Sequence, residues 1–276
     1  MAYIAPPQVV AGPARAPLPY GIFSVVDFET PDDPHWQAGG IQWEYLDPFT
    51  VQLIGQVQSP ESDTSGLPIE FDNSADFDSG DLPDLDPGYT SATLFTAIGS
   101  FKVSPTAWSA EQALERATTV LTTFEERQVE HALWNGDVGA SPSLTGAETL
   151  GSWDYESAHI ALGELEQFIA DTYGSLGVVH IPRKIALTLL HNGTLFTRGN
   201  ALFTALGTPV VSGSGYPDGA MRATPALRGF RSEIFSATSR PGDNFDRLRN
   251  DQYAVAERTY VIAFDPTGVG EVEITA

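Results

Sequence analysis

Glu130 and His131 stand where a His-x-x-Glu-His zinc helix would end. In that pattern two imidazoles one turn apart hold the metal. The first imidazole is missing, because the position four residues before His131 is Arg127. The pair predicts no metal centre, and His131 reads as a surface or interface histidine. His35, His159, His180 and His191 have no ligand-like spacing among themselves. His180 reads as a strand residue beside a short helix. Asp76-Phe77-Asp78-Ser79-Gly80-Asp81, followed by Asp84 and Asp86, offers the oxygen ligands that calcium takes. Its glycine falls at position five instead of six, and its twelfth position is Pro87 instead of Glu. That is not the EF-hand order, so the residues leave calcium binding and plain solvation both open. Gly213-Ser214-Gly215-Tyr216 is too short for a phosphate fingerprint and opens no helix. No carboxylate pair stands out among 36 acidic residues. The sequence therefore assigns no catalytic, cofactor-binding or metal-ligating residue.

The elements around these residues are clearer than the chemistry. Ser109 with Gln112 makes a capping box ahead of a helix over 110–134, about 37 Å long. Leu114, Ala117, Leu121, Phe124 and Ala132 recur on one side of it, the expected buried face. Asn135-Gly136 stops it. A second helix is expected over 155–173, burying Ala158, Leu162, Leu165 and Ile169 and ending at Gly174. Val178–Pro182 reads as a buried strand, 183–191 as a short helix and 207–216 as a Gly-punctuated strand and turn. The chain closes in β structure, with one strand over 230–236 and the strongest over 257–265. A turn at Pro266-Thr267-Gly268 leads to Val269–Ile274, expected as the hairpin partner of the strand before it.

The first hundred residues read differently. Residues 1–37 are rich in Pro and Gly and have no period, which predicts an extended arm outside the core. Its Tyr3, Ile4, Val9, Val10, Leu18, Tyr20, Ile22 and Phe23 are apolar groups that need a surface, so assembly is expected to order it. Strand candidates at 41–46, 51–57 and 93–103 flank residues 61–88. That stretch holds nine acidic residues and no Lys or Arg. A structureless loop so long is unusual inside a compact domain, and a protruding hairpin-like loop is expected.

Charge and composition set outer limits. The 276 residues carry a formal charge of −22, which repels nucleic acid instead of attracting it. Residues 1–100 contribute fifteen acidic groups against Arg15 alone. There is no cysteine, which removes disulfides, thiolate chemistry and Cys-ligated zinc. No apolar run approaches the roughly 18 residues of a membrane span, and the start shows no secretory pattern, so a cytoplasmic setting is expected.

The order of arm, long loop between strands, long helix, strand–helix–strand unit and closing strands resembles the major capsid proteins of tailed bacteriophages, the Hong Kong 97 fold. Glu126–Trp134 with Asn135-Gly136 looks like the end of the family's spine helix. Gly177–Pro182 followed by 183–190 looks like the opening of its axial domain. Gly207-Thr208-Pro209-Val210-Val211 with Gly213 and Gly215-Tyr216 is similar to a strand and turn of actinobacterial phage capsid proteins. Glu257-Arg258-Thr259-Tyr260 looks like the return into the peripheral domain. The resemblance implies an α+β Hong Kong 97-like fold divided as an N-terminal arm (1–37), an extended loop (38–103), a spine helix and peripheral domain (104–150), an axial domain (151–250) and peripheral return strands (251–276).

It further implies a non-enzymatic major capsid protein that forms pentamers and hexamers in an icosahedral shell around phage double-stranded DNA. Such a protein assembles in the host bacterial cytoplasm and resides in the virion. Separate scaffolding, portal and decoration proteins are the implied partners; no cofactor and no membrane are. Two other readings stay open, an encapsulin nanocompartment shell and an acidic β-rich hydrolase. Some family members weld subunits through a loop Lys and a neighbour's Asn, with a Glu as catalyst. This chain has only Lys102 and Lys184, and none in residues 38–101, so that bond is not expected. If the acidic loop lies on a neighbour, the late cations Arg222, Arg228, Arg231, Arg240, Arg247, Arg249 and Arg258 are its expected counter-charges.

Overall fold

The long helix Ala110–Asn135 carries a stripe of buried residues spaced four apart, and the rest of the fold is arranged around it. A computed structural model describes residues 16–44, 89–103, 109–238 and 252–275. The strands are β1 (Phe28–Glu29), β2 (Ile41–Glu44), β3 (Tyr89–Ala92), β4 (Phe95–Val103), β5 (Glu148–Asp154), β6 (Gly177–Pro182), β7 (Leu195–Arg198), β8 (Ala201–Thr204), β9 (Pro209–Gly213), β10 (Ala220–Pro225), β11 (Arg228–Arg231), β12 (Phe235–Thr238), β13 (Gln252–Ala263) and β14 (Gly270–Thr275). The α-helices are α1 (Trp36–Gly39), α2 (Ala110–Asn135), α3 (Ala158–Tyr173) and α4 (Arg183–His191).

Helix α2 forms as its caps dictate. Ser109 Oγ accepts from the Gln112 amide, Gln112 returns a bond to the Ser109 amide, and Gly136 closes the helix in the left-handed conformation. Its buried stripe is Ala113, Ala117, Leu121, Glu125, Val129 and Leu133, which packs on β4 and β13. The stripe passes through Glu125 and leaves Phe124 41% exposed, correcting the expectation that Phe124 is buried. Leu121→Ala should therefore cost about 2–5 kcal/mol, and Phe124→Ala about 1 kcal/mol or less. Denaturant midpoints of the two variants check this. Equal losses would put the stripe elsewhere.

Two sheets flank the helix. In one, β13 is central and pairs antiparallel with β4, β11 and β12, while β1 runs parallel to β11. The other has the order β5-β14-β10-β6-β9-β8-β7. Helix α3 packs on its β10, β14 and β5 side, and α4 on β6, β7 and β9. Strand β6 is buried throughout, as a strand covered on both faces should be. Strands β2 and β3 pair antiparallel on either side of the acidic segment. The segment itself, the expected strand at 51–57 and the calcium-like run lie outside the described residues.

Three further expectations need correction. The stretch over 230–236 is not one strand. Strand β11 ends at Arg231, Ser232 Oγ accepts from the Thr259 amide, and β12 begins at Phe235. The closing pair is not a hairpin either. After β13 the chain crosses to the other sheet, where β14 runs antiparallel to β10 and parallel to β5. Tyr173 of α3 holds the crossover by donating to the Gly268 carbonyl, and Val269 O accepts from the Glu148 amide. Lastly, part of the N-terminal region belongs to the core. Ile22 is fully buried beside Val26, and Trp36 is buried in a separate cluster with Phe230 and Val261.

Candidate assembly site

Three carboxylates on α2 tie the helix to distant parts of the subunit. Glu125 faces β13, where it accepts from Arg258 Nη1 at 2.9 Å and from the Tyr260 hydroxyl at 2.7 Å. Both partners are buried or nearly so, so this charge-assisted pair ties the helix to the long strand. Burial and the neighbouring Glu125 carboxylate push the Tyr260 hydroxyl up, which keeps it a donor. Glu126 lies one position on and accepts from the Phe23 amide at 2.9 Å.

Glu130, one turn further and fully buried, is the hub. Its Oε1 accepts from the Ile22 amide at 3.1 Å. Its Oε2 accepts from the Gly215 amide at 2.8 Å and from Ser214 Oγ at 3.2 Å. The Gly213–Tyr216 turn thus offers one backbone amide and one hydroxyl to the chain's own carboxyl group. Its glycine is needed for proximity: a Cβ on Gly215 would run into the backbone of Arg127 and His131. Burial raises the Glu130 carboxyl to about 7 against the pull of the Gly215 amide. Burial also raises Glu126, by more than the amide of Phe23 offsets.

The N-terminal segment is held from both sides. Arg183 Nη1 donates to the Pro19 carbonyl at 2.9 Å, and the Ser212 amide of β9 donates to the Tyr20 carbonyl at 2.7 Å. Residues 19–26 are therefore fastened between α2 and the second sheet within one subunit. This corrects the expectation that residues 1–37 stay unprotected until assembly; residues 1–15 lie outside the described set. Hydrogen exchange on unassembled subunits should show slow exchange at Ile22, Phe23 and Ser212. Rapid exchange at all three would contradict the clasp.

Beneath this junction the second sheet meets the end of α2 in a buried polar column. His180 of β6 bonds Tyr216 Oη at 2.8 Å and Thr224 Oγ1 at 3.0 Å. Burial, helped by the Arg222 charge, lowers His180 to about 3, so it stays neutral. The Tyr216 ring packs at a tilt against Trp134, centroids 4.8 Å apart, and Arg222 lies over the Trp134 ring at 4.2 Å. His180 does sit on a strand near the short helix. His131 is exposed and pairs with Asp137 at 3.0 Å.

The expected counter-charges for the acidic loop are largely spent inside the subunit. Arg222 pairs with Glu271, Arg228 with Glu29 and Arg258 with Glu125, while Arg231 lies over Phe28. Arg240, Arg247 and Arg249 are outside the described residues. Both lysines are engaged too: Lys102 over Tyr253, and Lys184 with Asp218 and the Tyr155 ring. Sequence reasoning missed the roles of Glu125, Glu126 and Glu130. The available signal was their spacing, since Glu125 falls on the four-residue stripe that the apolar residues define.

No protein-family model and no curated protein matches this sequence. The fold is nevertheless matched over almost the whole chain by solved structures. One is from Gordonia phage Cozz, 14% identical, covering 99% of this chain and 92% of that one at a TM-score of 0.58. Another is from Mycobacterium phage Ogopogo, 13% identical, covering 98% and 97% at 0.59. A third, the capsid of a native GTA particle with C5 symmetry, is 10% identical and covers 99% and 96% at 0.57. The α+β Hong Kong 97-like fold expected from the order of elements is the fold observed.

Proposed function

We propose that this chain is a major capsid protein of a tailed phage, self-assembling as pentamers and hexamers into an icosahedral shell around double-stranded DNA. The observation that carries the reading is the fold match over nearly the full length of both chains, to phage structures and to a particle capsid with five-fold symmetry. The encapsulin and hydrolase readings gain no support from these matches. Its role is structural, not enzymatic. In this reading α2 is the spine, the sheet around β13 the peripheral domain and the sheet around β6 the axial domain, to which β5 and β14 are added. The shell resides in the virion and is built in the host cytoplasm, with scaffolding, portal and decoration proteins as further partners. The net charge of −22 suits a lining to which DNA does not adhere.

Electron microscopy of the purified protein tests the reading: closed, hollow shells are expected. Protein that stays at 29.6 kDa in solution at every concentration would overturn it. Shells from infected cells should contain DNA, whereas protein cargo would favour an encapsulin. The shell should also dissociate without covalent links, since residues 38–101 lack the lysine for an isopeptide bond. Boiled particles should run as one band near 29.6 kDa, and a ladder of multimers would refute this part.

A further inference from the structure

The seven-stranded sheet ends in two open edges of opposite character. One is β7, where Phe196, Thr197 and Arg198 are exposed. Phe196 keeps 53% of its surface in solvent. The other is β5, where Glu148, Thr149, Ser152 and Asp154 are exposed and Glu156 follows. Among the described residues no strand lies beyond either edge. Six strand spacings separate them, about 29 Å. An uncovered edge bearing an aromatic side chain is a template for pairing with another chain.

The cations of this region support the same seam. Arg183 is committed to two backbone carbonyls, Lys184 to Asp218 and Arg222 to Glu271. Arg198 lies only over its own Phe203 ring, at 5.3 Å, and among the described residues meets no carboxylate. The acidic edge is on the far side of the same sheet. Following the pairings across the sheet, β5 and β7 run in the same direction.

We propose that β7 of one copy docks along β5 of the next copy as a parallel pair, with Arg198 facing the Glu148–Glu156 edge and Phe196 buried in the seam. The partner is a second copy of this chain. Two different edges make the contact head-to-tail, and such a contact closes a ring when the rotation between copies fits. This rests on the shell reading and names the contact that would close its pentamers and hexamers.

The absence of native cysteine makes a clean test possible. Thr197→Cys is combined in turn with a cysteine at each position from Thr149 to Trp153, and assembled particles are oxidised. A disulfide forms only when Cα atoms approach within about 7 Å. The expected result is a ladder of multimers, reversed by reductant, in at least one double variant and in neither of its single variants. A dimer from Thr197→Cys alone would mean that like edges meet, and would overturn the proposal. Intact particles with no cross-link at any position would overturn it as well. Arg198→Glu should abolish particles while Arg198→Lys retains them; equal particle yields from the two would also count against the seam. If the unmodified protein forms no particles, the shell reading itself fails, an outcome distinct from the others.

Discussion

Glu130→Ala should lower the unfolding free energy of the unassembled subunit by about 3–5 kcal/mol at pH 6, a large share of the stability of an ordinary domain. The substitution strands three donors: the Ile22 amide, the Gly215 amide and Ser214 Oγ. Each buried donor left without a partner costs about 1–3 kcal/mol. Relief from burying a carboxyl group, and partial collapse of the site, offset some of that loss. The damage should be local as well as global. Amide exchange at Ile22, Phe23 and Gly215 should accelerate before the core of β13 opens. Glu126→Ala removes one acceptor, that of the Phe23 amide, from a less buried site, and should cost distinctly less. Urea unfolding of the three proteins decides. A loss under about 1 kcal/mol for Glu130→Ala, with exchange at Ile22 unchanged, would mean that the hub is not a structural fastening.

The sequence made the elements legible where local physics decides them. Ser109, Gln112 and Gly136 write the ends of α2 into the chain, and both ends fall where they predict. Gly174 likewise stops α3. Strand β6, uniformly apolar apart from His180, could be read as buried on both faces. What could not be read are pairings between distant residues. Phe124 looked like core because it is apolar, yet the true stripe runs through Glu125, whose charge is neutralised by Arg258 more than a hundred positions away. The N-terminal Pro- and Gly-rich segment looked detached because its bonds go to Glu126, Glu130, Arg183 and β9, none of them local. The closing turn looked like a hairpin because Pro266-Thr267-Gly268 has hairpin chemistry. Tyr173 of α3 instead holds that turn so that β14 enters the other sheet. The candidate site consists almost entirely of such long-range contacts, so its residues were visible and their roles were not.

Glu130 and His180 should give the subunit two opposing pH dependences that nearly cancel, and removing either group should expose the other. Glu130 has its carboxyl raised from 4.5 to about 7. The folded state therefore holds a proton that the unfolded chain releases, and stability contributed by this group is full below about 4.5 and lost as pH rises through 7. His180 is lowered from 6.5 to about 3. Here the unfolded chain takes the proton and the folded state refuses it, so stability is full above 6.5 and lost as pH falls toward 3. Between pH 4.5 and 6.5 the two slopes have opposite sign, each about 1.4 kcal/mol per pH unit. In Glu130→Gln only the histidine slope remains, and stability relative to the parent should climb with pH across this window. In His180→Asn only the carboxyl slope remains, and relative stability should decline. The two variants should diverge by about 2.7 kcal/mol per pH unit. Exposed carboxylates contribute equally to both and drop out of the comparison. Urea midpoints at pH 4.5, 5.5 and 6.5, with the unfolding slope held constant, measure the divergence. Parallel profiles would show that neither group changes its proton affinity on folding.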